Sequence, residues 1–399
     1  MSPTARKSSG NDLIGSKQAA DLLGVRVQTI YAYVSRGLLE RVGNTSRHTG
    51  SEFRLADVQA LAQRHRRQRT GTFELSIDTS ITYLDPSGAL LFRGHDAVDL
   101  AAHSTFEETA ELLWQVPPGD WSAGPAARSI AARVAGASTS RTRPSTRVRL
   151  ACEIASDTES LLALAGDDES RIPRALVVAS VQSLLPAEPS PPDGAAGVAD
   201  RLWCAIAARR PRAGEIEALQ AALVLLADHE LATSSIAARA AASTGASVID
   251  AVSAGLATMA GPRHGRASWA GEHLLDRSTR IGVAATLDEL DGAPAGFGHV
   301  VYREVDPRAE HLLDRLSTFS GSSVPILDDL ALEVYRRWQL VPNVDIALAA
   351  MVHDLGLPSG SGELIFMVAR MAGLAAHALE ERGHPMRFRP RAIYTGQQP

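Results

Sequence analysis

The stretch GFGHVVYREVDPRAE, residues 296–310, places His299 directly after Gly296 and Gly298 and runs on to Asp306-Pro307-Arg308. Glycine has no Cβ, so it lets backbone come close to a bulky ligand. The guanidinium of Arg308 is a planar fork that matches a carboxylate. Working outward, His229 lies in ADHELATSSIAARAAASTGA (227–246) and His264 in AGPRHGRA (260–267). Asp345 lies in PNVDIALAAM (342–351), Arg370 in LIFMVARMAG (364–373) and Arg389 in FRPRAIYTG (388–396). Each stretch alone reads as ordinary structure: a partly buried histidine, a turn, a capping arginine. Six in one chain read as a site. No HExxH and no paired Cys/His spacing occurs, so no metal centre is expected.

The order and approximate spacing of these stretches, over about residues 73–396, resemble the citrate synthase family. The segment SIDTSITYLDPSGALLFRGHDAVDLAAHSTFEETAELLW (76–114) adds to the resemblance. Its β-favouring residues and its Pro86-Ser87-Gly88 turn predict a small hairpin leading into helices. Gly88, Leu90, Phe92-Arg93-Gly94-His95 and Ser104 to Glu108 are similar to the opening of bacterial members. Phe92 and His95 replace the usual tyrosines. This region is expected to orient the chain and to contribute to a dimer.

The resemblance implies an acyltransferase of the tricarboxylic acid cycle. It would condense acetyl-CoA with oxaloacetate and water, giving citrate and CoA. Acetyl-CoA is then a co-substrate, and no cofactor or metal is expected. Such chemistry needs a base for the thioester methyl proton, a donor for the thioester oxygen, a second donor for the ketone oxygen, and cations for the substrate carboxylates. Asp345 is the expected base; a free Asp has a pKa of ~3.9, and burial beside Val344 and Ile346 would raise it. His264 precedes a helix predicted over Ala267 to Asp276. The N-terminus of that helix would keep the imidazole neutral, as a donor to an enol oxygen.

By resemblance, His299 polarises the ketone, His229 hydrogen-bonds oxaloacetate, and Arg308 and Arg370 hold its carboxylates. Arg389 matches an arginine that reaches into the partner subunit's site, which implies a homodimer. The loop 294–303 matches the CoA region, with Gly296, Gly298 and Arg303 as contacts. The family's GPLHGGAN reads GPRHGRAS here. Arg266, beside His264, would either touch a CoA phosphate or obstruct the acyl group. One methylene is worth only about 1–3 kcal/mol, so a 2-methylcitrate synthase using propionyl-CoA is the alternative.

Composition agrees with a mainly α fold. Aromatics are 5% of the chain, and Ala and Leu, strong helix formers, dominate the apolar residues. No uninterrupted apolar run approaches the ~20 residues of a bilayer span, and the N-terminus MSPTARKSSGNDL shows no signal pattern. Cys152 and Cys204 fit a reduced, cytoplasmic protein.

Charge divides the chain. Residues 1–70 hold twelve Lys/Arg against five Asp/Glu, and the remainder holds 28 against 40. A basic head on an acidic body predicts two modules with different partners. In the head, Ser16 is the expected N-cap of a helix ending at Gly24, and Gln28 to Val34 is a second helix closed by Gly37. Ile30, Tyr33 and Val34 share its buried face, leaving Gln28, Thr29 and Tyr31 outward. QTIYAYVSRGLL (28–39) resembles the recognition helix and turn of MerR-type regulators and phage excisionases. The resemblance implies a winged helix–turn–helix, with Arg41 to Arg54 as wing and Asp57 to Arg69 as third helix. DNA phosphates would be met by Arg26, Arg36, Arg47, His48 and Arg54, while Gln28 and Thr29 reach base edges or phosphates.

The expected organisation is therefore residues 1–70 as winged helix–turn–helix and 71–399 as a citrate-synthase body. In the body, a large domain covers about 71–264 and 351–399, and a small mobile domain about 265–350. Pro186 to Pro192 reads as a surface loop. A DNA-binding metabolite sensor built on the body is the reading from a different class.

Overall fold

A computed structural model describes residues 13–42 apart from 24, 26, 36 and 37, residues 51–61 apart from 59 and 60, and residues 76–388 apart from 86, 87, 159–168, 185–196, 208, 263, 320 and 387. The chain divides into two compact units, residues 1–78 and 79–399.

The described residues of the first unit include the short helices Ser16–Leu23 and Val27–Ser35. Strand Leu13–Gly15 pairs antiparallel with Glu52–Arg54, with Ile14 opposite Phe53. Ser16 is the first helical residue here rather than the cap. Ala19, Ala20, Leu23, Ile30, Leu39, Phe53, Val58 and Leu61 form a small core. Gln28 and Tyr31 face outward and Thr29 is half-buried. Residues 55–58 are helical, so that turn opens two residues before the expected Asp57. Of the expected wing, residues 43–50 lie outside the described residues, and so do Arg26, Arg36, Arg47 and His48.

The second unit is mainly helical. Its hairpin forms as expected: Thr82–Leu84, Leu90–Phe92 and His95–Asp96 pair antiparallel in sequence order. Arg93 and Gly94 make the tight turn with φ of 50° and 87°, as a two-residue connection between twisted strands requires. The STFEE stretch is a capping box. Thr105 accepts from the Glu108 amide while the Glu108 carboxylate accepts from the Thr105 amide, which satisfies orphan donors of helix Phe106–Trp114.

Helix Ser361–Glu381 is the axis of the core. It is apolar over 18 residues, yet 94% of that window is buried in protein. Helices Phe106–Trp114, Ile172–Gln182, Glu215–Leu226, Thr233–Ala242 and Val248–Thr258 pack around it. An all-round apolar helix is stable only when it is surrounded in this way. Gly373 lets the neighbouring chain in: a Cβ there would sit 2.1 Å from Asp228 Oδ1 and 2.6 Å from Ala227 O. Both obstacles are buried and cannot swing away. Gly373→Ala should therefore destabilise the body by about 3 kcal/mol, the upper range for overpacking, read as a lower denaturant midpoint at unchanged slope. Cys152 is buried, Cys204 is exposed, and both are free.

Candidate active site

A cavity of about 510 Å³ opens where residues 229–233, the His264 turn, the loop 298–301 and the starts of helices Pro307–Ser317 and Val344–Asp354 meet the Ser361–Glu381 helix. Its wall contains His229, His264, His299, Arg308, Asp345 and Arg370. These residues are up to 141 positions apart in sequence. Gly298 also lines the cavity, whereas Gly296 and Arg303 do not. Arg389 lies outside the described residues.

Both glycines of the opening motif have a local duty. Gly296 and Gly298 take φ of 86° and 78°, and a Cβ would meet Ile346 at 2.8 Å and Leu340 at 2.9 Å respectively. The loop pairs with residues 341–343. Gly298 N–H donates to Val341 O at 2.7 Å, Asn343 N–H to Gly296 O at 2.9 Å, and Asn343 Nδ2 to Gly298 O at 2.9 Å. These contacts tie the His299 loop to the helix carrying Asp345, so close approach here serves the chain itself.

His299 Nδ1 accepts from the amides of Val301 (3.0 Å) and Tyr302 (3.3 Å). An imidazole nitrogen accepting twice carries no proton, so the proton is on Nε2. Burial, then Arg308, lower its pKa to about 4, with Asp306 opposing. His264 Nε2 lies 2.8 Å from the buried Ser234 hydroxyl, and its Nδ1 has no partner among the described residues. Its pKa is also lowered to about 4, by burial first and Arg370 second. Both rings are neutral at neutral pH. For His264 the sequence suggested a helix dipole; the helix does start at Ala267, but burial and Arg370 account for the shift. His229 is buried, sits 3.2 Å from the Tyr302 hydroxyl, and is held far below the usual histidine range by burial and then Arg308 and Arg370. Ser234→Ala removes the group that orients His264, and kcat should fall on the order of tenfold, with the KM for the keto acid unchanged.

Asp345 follows the N-cap Asn343, whose Oδ1 accepts the Asp345 amide at 2.9 Å. Its carboxylate has no hydrogen-bond donor among the described residues. Burial raises its pKa to about 6, against the lowering effect of Arg308 and Arg370 and with help from Asp306. This is a carboxylate poised as a base near neutrality.

The two arginines differ. Arg308 is clamped by Asp306, Nε to Oδ1 at 2.9 Å and Nη2 to Oδ2 at 2.8 Å, and stacks on Tyr302. Asp306 also accepts the Val344 amide at 3.1 Å, which links the Asp-Pro-Arg helix to the Asp345 helix. Arg370 is 1% exposed. Its Nε donates to Leu226 O at 2.9 Å, its plane lies over Phe366, and Nη2 has no partner among the described residues. Among the described residues it forms no ion pair. A buried guanidinium with a free donor is costly unless an anion completes it.

Arg266 is turned away from the cavity, pairing with the buried Glu363 at 3.2 Å and lying over Trp269. It does not line the cavity, and its Nε is the atom engaged by Glu363. Tyr302, Asp306, Ser234 and Asp228 went unnoticed in the sequence. Asp306 stood inside the quoted Asp-Pro-Arg, and Asp228 immediately before His229, so adjacency was their one available signal.

The family description "Citrate synthase, C-terminal domain" matches residues 73–391. Citrate synthase 2 of Bacillus subtilis is 29% identical over 359 residues, covering 82% of this chain and 93% of that protein. The citrate synthase of Haloferax volcanii is 28% identical, covering 81% and 94%. The crystal structure of Thermotoga maritima citrate synthase aligns with a TM-score of 0.65 at 27% identity, covering 83% and 96%. The Thermoplasma acidophilum enzyme, solved with carboxymethyl coenzyme A and oxaloacetate, shares the fold with a TM-score of 0.70 at 22% identity, covering 83% and 96%. With that family model matching residues 73–391, the chain belongs to the citrate synthase family.

Proposed function

We propose that this protein condenses acetyl-CoA with oxaloacetate and water to give citrate and CoA. The observation that carries the reading is Arg370, a buried cation with an unpartnered Nη2, set in one cavity with a second arginine, two neutral imidazole donors and a basic carboxylate. A small dianion satisfies the arginines. Asp345 takes a proton from the thioester methyl group while His264 donates to the thioester oxygen, giving an enol. The enol carbon attacks the ketone of oxaloacetate, whose oxygen His299 Nε2–H stabilises. Water then cleaves the citryl thioester and releases CoA thiol. One well-aimed donor to a developing oxyanion contributes about 10²–10³ in rate.

In this reading CoA lies along the loop 294–303, where the exposed Arg303 meets a phosphate. A small domain of about residues 265–350 closes over the substrates against the large domain, 71–264 with 351–399, and excludes water. The protein works as a cytoplasmic homodimer, with Arg389 completing the partner's site. No described residue favours propionyl-CoA. Release of free thiol on mixing the protein with oxaloacetate and acetyl-CoA tests the function. No release at high protein concentration, with propionyl-CoA also inert, overturns it.

For the head, the reading is a winged helix–turn–helix that binds DNA. Its net charge of +7 over residues 1–70 and the outward Gln28 support this. A gel shift with DNA upstream of its own gene should weaken steeply with salt. Binding unchanged by Arg47→Ala with Arg54→Ala would count against the wing.

A further inference from the structure

Behind the cavity lies a buried polar chain of which the proposed chemistry uses Arg370 alone. Three residues on one face of the Ser361–Glu381 helix, at spacings of three and four, grip three consecutive residues. Arg370 Nε donates to Leu226 O at 2.9 Å, Gly373 N–H donates to Ala227 O at 2.9 Å, and His377 Nε2 faces Asp228 Oδ1 at 3.2 Å. The next residue is His229.

Asp228 is fully buried. Its Oδ2 accepts from Thr82 Oγ1 at 2.5 Å and from the Glu230 amide at 3.0 Å. That second bond spans His229 and closes a turn in which Glu230 takes φ of 52°, a left-handed conformation rare outside glycine. His377 cannot turn away, because its Nδ1 accepts from Arg239 Nε at 2.9 Å. Arginine is never an acceptor, so the remaining ring proton is on Nε2, which lies 3.2 Å from Asp228 Oδ1, within ion-pair range but outside hydrogen-bond alignment. Arg239 is itself fully buried and anchored by Glu381 at 2.8 Å, by Glu380 and by Thr79. Burial pushes the Asp228 carboxyl up, but His377, Arg370 and Thr82 hold it below the usual range, so it stays ionised.

We propose that Asp228, oriented by His377 and Arg239, is the positioning residue of the keto-acid site, holding the strained turn that presents His229 to the cavity beside Arg370. The proposal rests on the reading of this cavity as an oxaloacetate site. Asparagine cannot replace the carboxylate. With its carbonyl oxygen on the Glu230 amide, its NH2 would face His377 Nε2–H from the position of Oδ1, 3.2 Å away, donor against donor, and the negative charge would be lost.

The test is Asp228→Asn in the full-length protein, with steady-state kinetics in both substrates and calorimetric titration of oxaloacetate. The KM and Kd for oxaloacetate should rise about 10- to 100-fold, the effect of a small misplacement of a binding group, while the KM for acetyl-CoA stays within about threefold. Adding Glu230→Gly should restore oxaloacetate affinity to that of Glu230→Gly alone, because glycine adopts positive φ unaided. A folded Asp228→Asn protein with wild-type oxaloacetate Kd overturns the proposal. So does an equal loss for both substrates that Glu230→Gly does not rescue. If Asp228→Asn does not fold, His377→Gln takes its place and must show the same oxaloacetate-specific loss; a wild-type Kd there also overturns it. Wild-type protein that neither binds oxaloacetate nor releases thiol sinks the underlying function instead.

Discussion

Asp345→Asn is expected to lower kcat by about 10²–10⁴-fold, the range a positioned general base supplies, with little change in the affinity for oxaloacetate. The amide keeps the shape and loses the basic lone pair. The wild-type pH profile should identify the same group. Asp345 is active ionised and titrates at about 6, so kcat falls as pH is lowered through 6. His264 and His299, lowered to about 4, stay neutral across that limb. An acid limb centred near 4 would remove Asp345 from the role. The same shift has a sign for stability. A carboxyl whose folded pKa is raised above its unfolded value favours the fold at low pH, and that contribution is lost as pH rises through about 6. Asp345→Asn should therefore melt higher than wild type at pH 8, with the gain vanishing below pH 4.

The second large effect concerns Arg370. Arg370→Met should raise the KM for oxaloacetate by a factor of about 30 to several thousand, corresponding to the 2–5 kcal/mol of a lost buried charge-assisted contact. The KM for acetyl-CoA should hold. Arg370→Lys should not rescue, since an ammonium has no fork and cannot reach Leu226 O and a carboxylate together. The ligand-free variant should nonetheless melt above wild type. Arg370 is buried with an unpartnered nitrogen, and a methionine of similar length removes that desolvation cost. Oxaloacetate, which should raise the wild-type melting temperature by binding only the folded state, should leave the variant unmoved. A variant that is both less stable and still protected would reassign Arg370 to the core.

Much of the site was readable in the chain because its chemistry is local. A histidine in a Gly-Pro-Arg-His-Gly turn, an aspartate just inside a helix and an arginine after Asp-Pro keep their residue types whatever surrounds them. The helix starting at Ala267, the hairpin across Gly88 and the buried Ile30 were legible for the same reason: turn chemistry and apolar period act over a few residues. The duty of Gly296 and Gly298 was not, because their neighbours Ile346 and Leu340 arrive from more than forty positions away. Arg266 looked like an intruder beside His264 until the fold brought Glu363 to it.

The sequence by itself determined which groups this protein can offer: imidazoles, a carboxylate and two guanidiniums in an order resembling one family, with a basic segment ahead of them. The tertiary structure decided their states. It set the proton of His299 on Nε2 through two backbone amides, raised Asp345 by burial, clamped Arg308 with Asp306 and left Arg370 short of a partner. It also assembled Asp228, His377 and Arg239 from positions up to 149 residues apart. The reason is physical. Residue type is a property of the chain, whereas protonation, desolvation and an unmet hydrogen bond depend on what is packed within a few ångströms, and only the folded body brings those neighbours together.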